Sequence, residues 1–201
     1  MTDPLFLLES LAGTRPTVDG EVLVDGAEGH HAVAVRRLRA GERVVVADGS
    51  GGGVRGEVVD ATKAGLRVRV TAVLDEPAPP VRLVVAQALA KGDRGELAVE
   101  MLTEVGVAEV VPWQASRSVA RWSADRVDRG LGRWRSTARE AAKQSRRLRV
   151  PSVSDPVGTR ALAERLGAAD LALVLHEDAT DPIAAVALPA AGVVVVVVGP
   201  E

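Results

Sequence analysis

The chain is 201 residues long, 47% hydrophobic and 26% charged, with a net charge of −2 and no cysteine, so it can bury one good core or two modest ones but has no disulfide framework, thiolate zinc site or cysteine nucleophile. Its histidines are His30, His31 and His176, too few and too scattered for a multi-histidine metal site, so no metal is expected. No apolar stretch approaches the ~20 residues that cross a bilayer, and Met1-Thr2-Asp3-Pro4 lacks the basic region of a signal peptide, so no membrane partner and a cytoplasmic location are expected.

Up to residue 74 the apolar residues alternate or come in short runs, and segments 21–24, 43–47, 54–59 and 66–74 read as strands of a small antiparallel barrel or sandwich. The glycine-rich stretch 48–53 has the look of a phosphate loop. It lacks the Lys-Ser/Thr of a P-loop, however, and joins two strands, which predicts a hairpin turn. Residues 75–80, Asp-Glu-Pro-Ala-Pro-Pro, form a stiff polar break of the kind that separates domains.

Beyond the break, strands and helices alternate, which predicts a parallel sheet. A strand over 81–89 is followed by a helix from Asp93, with Glu96 placed as in a capping box, that ends at Gly106. A strand over 107–111 leads to a long helix capped by Ser123, whose Val127, Leu131, Trp134, Ala138, Ala141 and Ser145 share one face. A helix over 159–166, a strand over 171–175 and a short helix over 181–187 precede six consecutive valines, 193–198, that run into Gly199-Pro200-Glu201. This β-branched run reads as a central strand buried on both faces. In such sheets ligands sit beyond the carboxyl ends of the strands, which marks Gly-Pro-Glu as a candidate binding loop and gives His176, after strand 171–175, a similar place. A polar strand cap is an equal reading for His176. A central strand with nothing after it also leads us to expect that a C-terminal portion is missing.

Charge is distributed unevenly. Between Arg117 and Arg149 stand eleven Lys or Arg against Asp125, Asp128 and Glu140, so the rest of the chain is acidic. A basic block of this kind suits a polyanion, but early acids and late arginines also match the helix dipole, leaving RNA contact and a solvated helix face both open. Trp113, Trp122 and Trp134 read as packing residues. His31, near Arg36, Arg37 and Arg39, reads as structural, with the cluster a candidate second anion contact. No Ser/His/Asp or paired-carboxylate arrangement follows from spacing.

Five segments in order carry a likeness. They are His30-His31-Ala32-Val33-Ala34-Val35-Arg36-Arg37-Leu38-Arg39 with Gly41-Glu42; Lys91-Gly92-Asp93-Arg94 leading to Thr103-Glu104-Val105-Gly106-Val107; Ala141-Ala142-Lys143-Gln144-Ser145-Arg146-Arg147 leading to Pro151; Leu173-Val174-Leu175-His176-Glu177; and Val198-Gly199-Pro200-Glu201. Together they resemble the RsmE family of ribosomal small-subunit RNA methyltransferases over nearly the whole chain. The resemblance implies an α/β protein: a PUA-like, RNA-binding β-barrel over 1–74, a linker at 75–80 and an incomplete SPOUT-type, trefoil-knot methyltransferase domain over 81–201. It implies a homodimer that uses S-adenosylmethionine to methylate N3 of a uridine in the 16S rRNA of the small ribosomal subunit.

By the same resemblance, Leu175, His176 and Glu177 line one side of the cofactor pocket and Val198, Gly199, Pro200 and Glu201 another. Arg147, with Gln144 and Arg139, is expected to hold the target nucleotide or stabilise its developing anion, while His31, Arg36, Arg37, Arg39, Lys91, Arg94, Lys143 and Arg146 are expected to contact RNA. Lys143 stands where the family usually has Glu, which extends the basic face. The family continues with glycines, a helix and a Leu-Arg-rich loop that complete the pocket, so residues 1–201 alone are expected to bind the cofactor poorly. The competing expectation is a non-catalytic, ribosome-associated RNA-binding module. A nucleotide-dependent α/β enzyme of another kind is disfavoured, because neither a Rossmann glycine fingerprint nor a P-loop follows any predicted strand.

Overall fold

The structure, a computed structural model, describes residues 3–11, 16–116 and 118–200, with the backbone alone at Ser10. The chain divides into two units, residues 1–78 with 142–150 and residues 79–141 with 151–201.

The first unit is built on a five-stranded sheet of β1 (Leu5–Leu7), β2 (Glu21–Val24), β3 (Arg43–Ala47), β4 (Gly52–Thr62) and β5 (Gly65–Asp75), in the order β1-β3-β4-β5-β2. Neighbours pair antiparallel except β1, which runs parallel to β3. The purely antiparallel expectation is corrected by that one strand, whose three residues are too short to show a period. Alternate residues Val44, Val46, Val54, Val58, Val68 and Val70 point inward with Phe6, Val24 and Leu66, and are sealed from solvent. Burying such side chains stabilises the unit by about 1.5–3 kcal/mol each. Between β2 and β3 the chain forms α1 (Gly26–His30), running on into a π-turn over His31–Val35 that its sequence did not announce. Gly29 is required there, because a Cβ would run into the Val24 carbonyl.

The 48–53 stretch is a hairpin turn. Asp48 Oδ1 accepts the backbone N–H of Ser50 at 2.6 Å and of Gly52 at 3.1 Å, which leaves no anion cradle open. A late segment returns to this unit, where the contiguous division of the sequence had placed none. Leu148 and Val150 pack on Leu5, Leu7 and Ala47, Val150 N–H donates to Gly49 O at 2.9 Å, and the Arg149 guanidinium donates to Glu76 O.

The second unit contains β6 (Val81–Ala88), α2 (Arg94–Glu104), β7 (Glu109–Gln114), α3 (Val127–Ser145, whose end from Ala142 groups with the first unit), β8 (Ser152–Val153), β9 (Val157–Gly158), α4 (Thr159–Gly167), β10 (Leu171–Leu175) and β11 (Gly192–Val198). Strand order is β10-β11-β6-β7-β8, with β9 also on β7, and every pair is parallel. Val84, Ala86, Val111, Val195 and Val197 lie on one face under Leu162 of α4, while Val85, Val110 and Val194 alternate to the other and are also buried. The valine strand is central, as its composition requires. The helix expected over 181–187 is a single 3₁₀ turn, Ile183–Ala185, and neither Asp93 nor Ser123 makes a side-chain cap; Glu96 pairs instead with Arg133 at 3.2 Å.

Glu109, 8% exposed, ties three elements together. Its carboxylate takes Arg82 of β6 at 2.5 Å and Arg165 of α4 at 2.8 Å. Burial alone would raise this carboxyl, but hydrogen bonds and charge from Arg165 and Arg82 outweigh it and hold the group below its ordinary 4.5. A lowered folded value means the stabilisation is complete above the unfolded value and lost as pH falls through the folded one. Glu109→Gln is therefore expected to cost about 1–2 kcal/mol at neutral pH, with the gap to wild type closing in acid, as denaturant melts at both pH values will show.

Candidate functional site

Because all strands of the second sheet run the same way, their carboxyl ends open on one edge. A cavity of about 460 Å³ lies there. Gln87 and Ala88 end β6 and lead through Leu89 and Ala90 to Lys91 and, at the start of α2, Arg94; Ser118 to Ala120 come from the loop after β7, and Val198, Gly199 and Pro200 leave β11. The structure thus brings Lys91, Arg94, Val198, Gly199 and Pro200 around one space.

Local bonding fixes the walls. The Ser118 hydroxyl is 3.2 Å from Leu89 O and 3.1 Å from Ala120 O, so its one proton staples the loop after β7 to the exit of β6. Leu89 N–H donates to Trp113 O at 3.0 Å, and the Gln87 amide donates to Ala88 O at 3.1 Å. Behind α2, the Trp134 ring lies against Gly95 and meets Trp122 edge-on at 5.3 Å between centroids, so the tryptophans of this region pack and do not form an open stacking platform. A Cβ on Gly199 would meet nothing within 4 Å. Backbone at the β11 exit is therefore approachable by a ligand, with two cations and a hydroxyl on the same rim.

Register places Leu175 beside Val198, so His176 and Glu177 follow β10 where Gly199 and Pro200 follow β11. Leu175 is 42% exposed, and His176 Nδ1 accepts the backbone N–H of Asp178 at 3.1 Å, the local polar role that competed with a ligand role in sequence. Glu201 lies outside the described residues, as does Arg117 at the head of the basic block. Arg139 belongs to the second unit and does not line the cavity; Gln144 and Arg147 group with the first.

The remaining residues are in the first unit. Arg36, Arg37 and Arg39 are exposed after the π-turn, whereas His31 is half-buried and edge-on to Phe6 at 6.4 Å. Lys143 corrects an expectation: its side chain is 9% exposed and its ammonium pairs with Glu28 at 3.1 Å, so it does not extend an outward basic face. Sequence reasoning missed Gln87, Leu89 and Ser118. The strand-exit rule applied to 81–89 would have found the first two, while nothing local singles out Ser118. Among the described residues no group of three or more His, Cys, Asp or Glu could hold a metal, and no helix is long and apolar enough to cross a membrane.

Comparison with known proteins agrees with this layout. A family model described as an RNA methyltransferase domain matches residues 77–201, and one described as an RNA methyltransferase PUA domain matches residues 24–71. Ribosomal RNA small subunit methyltransferase E of Mycobacterium bovis is 44% identical over 207 positions, covering 100% of this chain and 77% of that protein. The chain belongs to the ribosomal RNA small subunit methyltransferase E family. Two solved structures share its fold. One is the Neisseria gonorrhoeae member of the family bound to S-adenosyl methionine, with TM-score 0.80 and 21% identity over 98% of this chain and 79% of that one. The other is a putative methyltransferase of Legionella pneumophila in complex with the same cofactor, with TM-score 0.81 and 21% identity over 99% and 79%.

Trp134, 2% exposed, is the packing centre behind the cationic rim. Trp134→Ala is expected to destabilise the second unit by about 3–5 kcal/mol, measured as a shift of the denaturant midpoint.

Proposed function

We propose that this protein transfers a methyl group from S-adenosylmethionine to N3 of a uridine in small-subunit ribosomal RNA, acting as a cytoplasmic homodimer whose second unit is a SPOUT-type domain. The observation that carries the reading is the strand-edge cavity. It combines a side-chain-free approach at Gly199 with Lys91 and Arg94 on the rim of a family member. The residues present fit the cofactor: an apolar Val198-Gly199-Pro200 wall for its uncharged surface, with polar donors alongside. An exposed apolar stripe of Leu97 and Met101 on α2 and Val105 just past its end, exposed by 55%, 58% and 72%, supports the dimer.

When bound, the cofactor would supply an electrophilic sulfonium methyl, to which deprotonated uracil N3 would bond as the S–CH3 bond breaks and the neutral thioether S-adenosylhomocysteine leaves. Every other contribution is positional or electrostatic. Val198, Gly199 and Pro200 hold one side of the cofactor, with Glu201 following, and Leu175, His176 and Glu177 the other. Lys91 and Arg94 neutralise phosphate next to the target, joined by Arg36, Arg37, Arg39 and Arg146 along the RNA. Arg147, with Gln144 and Arg139, holds the target base and favours loss of the N3 proton by stabilising the anion left behind.

Radiolabelled methyl transfer to small ribosomal subunits, followed by nucleoside chromatography, is expected to yield 3-methyluridine. Binding with steep salt dependence but no transfer would instead mark a non-catalytic module. Arg147→Ala is expected to lower turnover about 10²-fold or more, as removal of an oxyanion-type donor does. Gly199→Ala is expected to leave folding within about 0.5 kcal/mol but weaken cofactor binding about tenfold, or ~1.4 kcal/mol, by calorimetry.

A further inference from the structure

We propose that Val119 is a base-contacting residue of the strand-edge cavity, its side chain packing against the C5–C6 edge of the target uracil while N3 faces the methyl donor. This rests on the methyl-transfer reading and names a substrate contact that reading leaves open. Val119 lines the cavity and is 77% exposed, more than any of Leu97, Met101 and Val105 in the apolar stripe.

A lone exposed valine on a loose loop would need no explanation. This one is held outward by a loop bonded on both sides of it. Ser118 N–H donates to Ala115 O at 3.1 Å, and the Ser118 hydroxyl lies 3.2 Å from Leu89 O and 3.1 Å from Ala120 O. The Arg121 guanidinium donates to Ser116 O at 2.7 Å, and Trp122 N–H donates to Gln114 Oε1 at 3.0 Å. Ser118 is 8% exposed, so the chain passes in one step from a buried hydroxyl to an outward isopropyl group. A β-branched side chain has few rotamers, and one fixed before its partner arrives loses little freedom on contact.

The order of strand exits identifies that partner. Along the edge the strands run β10, β11, β6, β7. With the methyl donor at the β10 and β11 exits, the loop after β7 stands two strand spacings from β11, roughly 10 Å, across the β6 exit that leads to Lys91. N3 and C6 are opposite corners of the uracil ring, so a base that offers N3 toward β11 turns its C5–C6 edge toward β7. That edge carries only C–H groups and suits an alkyl contact, whereas O2, N3 and O4 on the other edges need polar ones. Lys91 on the same rim suits the phosphate of a nucleotide and not the apolar stripe of a second copy of the chain.

With unmethylated small ribosomal subunits as substrate, Val119→Ala is expected to lower kcat/KM for the subunit about five- to tenfold, and Val119→Ile to restore it. The KM for S-adenosylmethionine, the melting temperature and the gel-filtration volume are expected to stay at wild-type values in both. Replacing Val119 by the photocrosslinker p-benzoylphenylalanine gives a readout that needs no turnover. Irradiated on the same subunits without cofactor, it is expected to attach at the uridine that wild type methylates or at a nucleotide beside it, as primer extension will show. Unchanged kcat/KM in Val119→Ala, an altered gel-filtration volume, or crosslinks to protein, to distant nucleotides or to nothing would overturn the contact, while wild-type methylation leaves the methyltransferase reading in place. A wild type that forms no 3-methyluridine would remove that reading, and the contact with it.

Discussion

The backbone pairing of β11 between β6 and β10 is the constraint on which the second unit depends. Seven of its residues pair with β6 and five with β10, all parallel. A strand held on both edges has no water for its backbone groups and needs side chains that demand no partner, which consecutive valines satisfy. Register then does the rest: with Val198 opposite Gln87 on one side and Leu175 on the other, three strand exits open at the same level. The cavity at that edge follows from strand direction; Ser118 and Trp134 steady it but do not create it.

Cationic residues divide between internal and outward work, and the division decides how the basic block is to be read. Arg133 is turned to Glu96, Arg135 to Asp155 and the Val153 carbonyl, and Lys143 to Glu28. The two exposed arginine pairs contribute modestly, about 0–1 kcal/mol each, and partly neutralise cations that a polyanion would meet, whereas the shielded Lys143–Glu28 pair takes its cation off the surface. Counting charge along the chain overstated the basic face for this reason. The partner of Lys143 stands 115 residues away, beyond anything local charge spacing can reveal.

What was legible in the sequence was whatever a local period controls. Strands 21–24, 43–47 and 171–175 appear with the bounds their alternation implied, and the long helix buries Leu131, Trp134, Ala138 and Ala141 as its spacing required. Elements set by distant pairing were not legible: β1 exists because β3 receives it, and β8 and β9 because β7 does. The 181–187 stretch failed in the opposite sense. Ile183 and Leu188 are 55% and 66% exposed, so no buried face offsets the cost of nucleating a helix, and one 3₁₀ turn is what remains.

The candidate site shows the same boundary between local and distant information. Gly199 and Pro200 were found because a strand exit is a local event, legible wherever an apolar run meets a glycine. The loop after β7 was not, since its place at the cavity depends on the Ser118 hydroxyl reaching the Leu89 carbonyl across 29 positions of chain. Arg146 lies between the two cases. A Gln-Ser-Arg-Arg string marks basic residues, but that one of them occupies a left-handed helix cap follows from where α3 stops and the return to the first unit begins.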